Sequence, residues 1–141
     1  ILYEAIGFSA PLMLIITVAC LLSQRYGAAY AGIYNGIARP MPRLSSILVI
    51  SVLAAVGTPL FPASFSLLSI LMLAPLAADI VLMLIWLMWS WAAVRILQGF
   101  IVGETENVEP QPDIGMPLAL FLALLLGIML VTGTILIGEH L

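Results

Sequence analysis

Residues 44–73 decide the fold, and they read LSSILVISVLAAVGTPLFPASFSLLSILML. A straight helix over this range would be about 45 Å long, whereas the hydrocarbon core of a bilayer is about 30 Å thick. Pro59 and Pro62 lie near its middle, where each ring removes an amide donor and clashes with a preceding carbonyl group. The sequence therefore predicts a discontinuous helix, broken near 57–62.

A break at this depth frees backbone carbonyl groups, which is tolerated only where the segment is buried in protein or lines a polar cavity. Ser64, Ser66 and Ser69 follow the break directly, and we expect their hydroxyl groups to satisfy the freed backbone. A candidate broken-helix site is therefore defined by Gly57, Pro59, Pro62, Ser64 and Ser66. The alternative interpretation is a simple proline kink followed by structural serines.

The rest of the chain is similarly apolar, with 64% hydrophobic and 8% charged residues, whereas a soluble domain carries about a quarter charged residues. Three further stretches, about 1–22, 76–102 and 117–137, reach the roughly 20 residues that span a bilayer. The sequence predicts an all-α integral membrane bundle of about four transmembrane helices, the second discontinuous, within one region, 1–141. The sequence begins at Ile1, inside an apolar stretch and without the basic region of a signal peptide. We therefore expect that the chain was processed or, as the favoured interpretation, that it is part of a longer polypeptide.

The net charge of −3 comes from seven acidic residues and four arginines, with no lysine. Such a chain offers no basic surface, so a nucleic-acid partner is excluded. The sequence has no Gly-rich phosphate loop, metal-spaced His and Cys cluster or nucleophile constellation, and His140 is a lone terminal histidine. We therefore expect no metal, no cofactor and no catalysis by this chain alone.

The arginines predict the orientation of the bundle. Three of them lie in the loop 23–43, between the first two spans, and Arg95 lies near the far end of the third. Because basic loops face the cytoplasm, the loop 23–43 is predicted to be cytoplasmic. The acidic, proline-containing segment 103–116 falls on the same side, where we expect an extended solvated loop.

Ionisable residues within a span are expensive, and Glu4, Asp79 and Arg95 therefore need explanation. Glu4 is a proton-relay candidate if the first helix begins before Ile1, and an interfacial acid otherwise. Asp79 follows the turn at Pro75 and is either a second relay candidate or a carboxylate at a helix start. Arg95 either snorkels to the interface or pairs with an acid of a neighbouring subunit.

Three tryptophans, Trp86, Trp89 and Trp91, cluster inside the third predicted span instead of at its ends. Anchoring in the interfacial aromatic belt explains this position poorly. We expect them to pack against a neighbouring helix or lipid, and the alternative is contact with a quinone or pigment. In the last span, Gly127 and Gly133 predict close helix packing.

Residues 36–44, GIARPMPRL, followed by AVGTP at 55–59, resemble the late part of the M-type antiporter-like subunits of respiratory complex I. In that family a cytoplasmic G-L-A-R/K-x-M-P loop precedes a broken helix that reads A-x-x-G-x-P. Residues 95–103 and 110–118 resemble the end of the next family helix and the loop after it. The chain thus looks like the last third of such a subunit, roughly helices eleven to fourteen, and is similar also to multisubunit Na⁺/H⁺ antiporters.

The resemblance implies a proton path of Lys, His and Glu residues along the middle of the bundle. The sequence departs from it at two positions, since Leu67 stands where the family has a glutamate and Phe8 near a histidine. Neither side chain can carry a proton. Three explanations stay open: a structural subunit, a relay relocated to Glu4, or a register that differs by a few positions.

The leading hypothesis is a membrane subunit, or a fragment of one, in a proton-translocating NADH-quinone oxidoreductase-like or cation/proton antiporter-like complex. It predicts other membrane subunits and lipid as partners, a quinone elsewhere in the complex, and a bacterial inner membrane or an equivalent energy-coupling membrane. One alternative is a structural or accessory subunit without its own proton path. Another is the membrane partner of an energy-coupled inorganic-carbon uptake complex, which a zinc-containing soluble subunit would distinguish.

Overall fold

The computed structural model describes residues 2–26, 38, 41–101 and 112–140, with side chains at 5–25, 38, 41–101, 112–136 and 138. These residues form five helices and no strand. The helices are α1 (Leu2–Tyr26), α2 (Pro42–Val56), α3 (Pro62–Leu73), α4 (Leu76–Phe100) and α5 (Met116–His140). The prediction of an all-helical chain is confirmed.

Three segments are long and apolar enough to cross a membrane: Ala5–Arg25, Leu76–Phe100 and Met116–Leu136. The helices α2 and α3 are shorter, with 15 and 12 residues. They divide the range 44–73, and the interruption lies between Val56 and Pro62, at the residues where the prolines predict it. In length and composition, these apolar helices are typical of a membrane protein.

The interrupted helix is the centre of the bundle, because α1 and α5 each pack against both α2 and α3, while α4 packs against α2. One apolar core joins α1, α2, α4 and α5, and α2 contributes the most residues to it. Its members are Leu14, Val18, Leu22, Met41, Leu44, Ile47, Leu48, Val52, Ala93, Phe100, Ile114, Ala119, Leu122 and Leu126. The best-protected segment is therefore α2, whereas α3 is buried only at its start, and Leu73 at its end is 86% exposed.

The helix α4 has the least cover: 6% of its most apolar window is buried. Leu76, Met88 and Trp91 are each more than 60% exposed. A surface of large aliphatic side chains is compatible with lipid or with another membrane subunit, and it is unsuited to water.

The N-terminus of α2 is capped by a residue far away in sequence. Met41 supplies no side-chain cap, and the carboxylate of Asp113 instead accepts the backbone N–H groups of Arg43 (2.9 Å) and Leu44 (3.4 Å). Arg43 also donates from its guanidinium to the Ile114 carbonyl oxygen at 3.3 Å. A carboxylate at this position satisfies orphan amide donors and complements the helix dipole. Asp113 is thus half-buried against α2, whereas its loop composition predicted a solvated charge.

Candidate functional site: the interrupted helix

Gly57 ends α2 in the left-handed conformation, with φ 83° and ψ 47°. Its N–H donates to the Ala54 carbonyl oxygen at 3.3 Å, and the Thr58 N–H donates to that of Leu53 at 3.4 Å. The Thr58 hydroxyl also donates to the Leu53 oxygen, at 3.2 Å. A glycine adopts this conformation without the strain that a side chain would bring, so this residue type sets the end of the helix.

The second half-helix begins at Pro62, whose ring suits the first helical position because no amide donor is required there. Phe61 precedes it in extended conformation, with φ −111° and ψ 152°. The Phe61 N–H donates to the Thr58 carbonyl oxygen at 3.0 Å, and Ser64 donates to the Phe61 oxygen from its N–H (3.1 Å) and its hydroxyl (2.7 Å). The two prolines therefore act differently: Pro59 prevents α2 from continuing, and Pro62 starts α3.

Two tryptophans complete the end of α2. In an uninterrupted helix the Ala55 and Val56 carbonyl groups would accept from residues 59 and 60, but Pro59 has no N–H and Leu60 lies outside both helices. The indole Nε1–H of Trp89 donates to the Ala55 oxygen at 3.1 Å, and that of Trp86 donates to the Val56 oxygen at 2.8 Å. All four terminal carbonyl groups of α2, at residues 53–56, thus have partners.

Of the three serines expected to satisfy the carbonyl groups freed by the break, Ser64 does so at Phe61, and none of the three reaches a carbonyl group of α2. Ser66 donates to the Pro62 oxygen (3.2 Å) and Ser69 to the Phe65 oxygen (2.8 Å), each within α3. Ser64 binds locally, at the start of α3. A signal for the true partners was present in the sequence, because Trp86 and Trp89 are three residues apart and so lie on one face of a helix.

Two other helices approach the break closely. In α1, a Cβ on Gly7 would lie 2.9 Å from the Ser66 hydroxyl oxygen. In α5, a Cβ on Gly133 would overlap the carbonyl oxygen of Leu60. Gly133 therefore has the packing role predicted for it, whereas a Cβ on Gly127 would meet nothing within 4 Å. The interrupted backbone is thus approached by α1, α4 and α5, while Pro59 and Leu60 are exposed on the remaining side.

A groove, with a volume of about 740 Å³, runs between α1, α3 and α4 beside the break. Phe8 and Leu67, the two positions where the family resemblance implies proton-relay residues, both line it. All of its lining side chains are apolar or tryptophan: Phe8, Leu12, Ala55, Leu67, Ile70, Val81, Leu82, Leu84, Ile85, Trp86, Met88, Trp89 and Ala92. The groove can hold hydrocarbon, and its lining side chains provide no proton carrier.

The ionisable candidates lie apart from each other. Asp79 is half-buried in the first turn of α4, and its Oδ1 is buried without a hydrogen-bond partner among the described residues. It borders a shallow surface depression that is lined by residues of α4 alone. Arg95 is exposed near the other end of α4, with its guanidinium 5.5 Å from the centroid of the Trp91 ring. About 24 Å of helix separates the two.

Glu4 belongs to the first turns of α1, and its side chain lies outside the described residues, as does all of Arg39. Among the described side chains, no three His, Cys, Asp or Glu residues come close enough to hold a metal ion. The break is thus held by hydrogen bonds to backbone groups and by close helix packing. The acidic residue of α4 is Asp79. Compared with protein-family models, with curated proteins and with solved structures, the chain shows no match.

Proposed function

We propose that this chain is a membrane subunit, or a part of one, in a proton-translocating NADH-quinone oxidoreductase-like or cation/proton antiporter-like complex, where it forms part of the ion pathway or its scaffold. The observation that carries the proposal is the interrupted helix, against which α1, α4 and α5 pack. Its two halves measure about 22 and 18 Å, so the break falls well inside a hydrocarbon core of about 30 Å. Discontinuous helices at this depth are characteristic of secondary transporters.

The order of the sequence motifs supports the same proposal. The segment GIARPMPRL at 36–44 runs into the first residues of α2, and AVGTP at 55–59 contains the end of α2 and part of the break. The order of the two motifs along the chain is that of the antiporter-like subunits that the chain resembles. Without the helix break, this likeness would rest on short stretches of sequence alone.

The charge distribution supports a cytoplasmic position for the loop 23–43 in a bacterial inner membrane or an equivalent membrane. Trp86 contacts Val56 and Trp89 contacts Ala55, so α2 and α4 run in opposite directions. From the contact between Trp86 and Val56, about 14 residues forward along α4 lead to Phe100, and the same number back along α2 lead to Pro42. Phe100 and Pro42 therefore lie at the same level of the bundle. Arg43 and Arg95 are then near the same end of the bundle, as the positive-inside rule requires.

Within this proposal, the described residues act mainly as scaffold. The groove beside the break is apolar at both relay positions of the family, so protons would pass through Glu4, through Asp79, or through other subunits. Other membrane subunits and lipid would cover the exposed faces of α4 and α5, with quinone chemistry elsewhere in the complex.

A structural or accessory subunit without its own proton path is the second candidate function. The observation that favours it is that all four terminal carbonyl groups of α2 already accept a hydrogen bond from this chain. An inorganic-carbon uptake complex is a third assignment, and copurification of a zinc-containing soluble subunit would distinguish it.

The test is to purify the native protein from its own membrane in mild detergent and to identify the attached subunits by mass spectrometry. Redox or antiporter subunits in fixed stoichiometry would support the proposal, whereas a chain that purifies alone would overturn it. The purified complex is then reconstituted in liposomes, and proton uptake is measured for Asp79→Asn, with Asp79→Glu as the matched control. Loss with asparagine and retention with glutamate would assign the relay to Asp79, whereas full pumping by Asp79→Asn would favour a scaffold role.

A further inference from the structure

The groove between α1, α3 and α4 opens to the outside of the bundle. Its α4 side is formed by residues that are strongly exposed, among them Ile85 (60%) and Met88 (66%). Its volume of about 740 Å³ is sufficient for a ligand, since small-molecule sites enclose roughly 300–1,000 Å³. In a membrane such a groove is filled by hydrocarbon. The shape and chemistry of the groove decide which kind of lipid or hydrophobic ligand occupies it.

The groove provides no free hydrogen-bonding group to a polar ligand headgroup. Its two polar lining side chains, Trp86 and Trp89, already use their indole N–H groups on the carbonyl oxygens of α2. A quinone ring needs donors for its carbonyl oxygens, and buried polar groups without partners are costly. A plain acyl chain needs none, so the lining favours an acyl chain.

One cation lies on the same face of α4 as the groove. Arg95 follows Met88 by seven residues, nearly two full turns, and therefore points in almost the same direction. It lies about 8 Å from the end of α4 at Phe100, a depth from which an arginine reaches the headgroup region. The groove and the cation are thus aligned along the helix, with the cation towards the membrane surface.

The guanidinium of Arg95 is available to an anion. It lies over the face of the Trp91 ring, a geometry that leaves the in-plane N–H donors unused. Among the described residues no carboxylate forms an ion pair with it. A planar guanidinium binds a phosphate group through two parallel hydrogen bonds, so a phosphate is the matching partner.

The geometry points to a bound anionic phospholipid, whose acyl chain occupies the groove between α1, α3 and α4 and whose phosphate binds Arg95. Charge complementarity at Arg95 selects the headgroup, and the apolar lining selects the chain. The site lies between the helix with the least cover and the two helices α1 and α3, so the lipid covers the side of α4 that faces α1 and α3. This inference needs a membrane around the bundle and is independent of proton transport.

The first test measures headgroup preference in the complete native protein. The protein is incorporated into nanodiscs with equal amounts of phosphatidylglycerol and phosphatidylcholine, then released into detergent, and the retained lipid is counted by native mass spectrometry. We expect phosphatidylglycerol to be enriched roughly fivefold in the wild-type protein. Arg95→Gln should abolish the enrichment, while Arg25→Gln, which removes an arginine from the end of α1, should preserve it. An unchanged preference in Arg95→Gln, or equal retention of both lipids by the wild type, would overturn the proposal.

The second test locates the acyl chain without any mutation. Phosphatidylglycerol with a photoreactive diazirine in mid-chain is added to the wild-type protein, and the labelled peptides are sequenced. Labels on Leu12, Leu67 or Met88 are expected, because these side chains line the groove. Labels confined to the outer face of α5, around Leu120 and Leu124, would show ordinary surrounding lipid and would sink the assignment.

Discussion

The indole Nε1 of Trp86 lies 2.8 Å from the carbonyl oxygen of Val56, thirty residues earlier in the chain. This bond joins the middle of α4 to the end of the first half-helix, at the point where the helical hydrogen-bond pattern stops. Trp89 repeats the contact at Ala55. The break is thus stabilised from a neighbouring helix in addition to its local turn.

Trp86→Phe keeps most of the aromatic packing and removes the donor to Val56. We expect the free energy of unfolding to fall by about 1–2 kcal/mol, because a carbonyl group is left unpaired away from water. Titration with sodium dodecyl sulfate in mixed micelles measures the change. Trp91→Phe is the control, since Trp91 is 62% exposed, and an equal loss in both variants would contradict the capping role.

Gly133→Ala tests how closely α5 approaches the break. A Cβ at this position would overlap the Leu60 carbonyl oxygen, and backbone cannot move aside as a flexible side chain can. We expect destabilisation of about 1–3 kcal/mol, typical of an overpacked contact, again measured by unfolding in mixed micelles. Gly127→Ala, in the same helix, should be neutral or slightly stabilising because alanine favours helix. If both variants behave alike, the contact with Leu60 is absent.

Gly57→Ala tests the turn itself. The left-handed conformation at φ 83° costs a residue with a Cβ about 1–2 kcal/mol, and we expect this loss in the free energy of unfolding. Gly57→Asn should lose less, because asparagine tolerates this region better. Gly115→Ala is a matched control, as its nearest contact would be an ordinary 3.7 Å. A neutral Gly57→Ala would show that α2 ends in another way.

Asp113→Ala removes the cap of α2 and should destabilise the protein by about 0.5–2 kcal/mol. Asp113→Asn should retain part of the effect, because its amide oxygen still accepts an N–H. Arg43→Gln should cost less than Asp113→Ala, since the bond of 2.9 Å comes from the Arg43 backbone and survives. The thermal midpoint in detergent provides the comparison, and a larger loss for Arg43→Gln would mean that the side-chain contact dominates.

Several elements could be predicted from local sequence. Composition indicated apolar helices because a chain with 8% charged residues cannot cover a soluble surface. The interruption was predictable as well, since proline has no amide donor and acts on its own helix regardless of the neighbours. The resemblance to antiporter-like subunits and the relay roles of Glu4 and Asp79 stay predictions.

Other contacts were missed because they join residues far apart in sequence. Serines close to the break looked like its natural partners, yet a serine within a helix bonds most easily to the carbonyl four residues before it. Asp113 looked solvated within an acidic segment, and its position against α2 depends on how the helices pack.

The sequence by itself determined that this chain forms apolar helices, where the central helix breaks and which residue types allow the break. These features depend on amide donors, side-chain volume and φ preference, all of which act within a few residues. Only the tertiary structure decided which groups satisfy the broken ends, how Gly133 meets Leu60, and that Arg95 continues the face of an apolar groove. Those relationships depend on the relative positions of separate helices, because a carbonyl group without a partner in its own helix accepts whichever donor the packing brings to it.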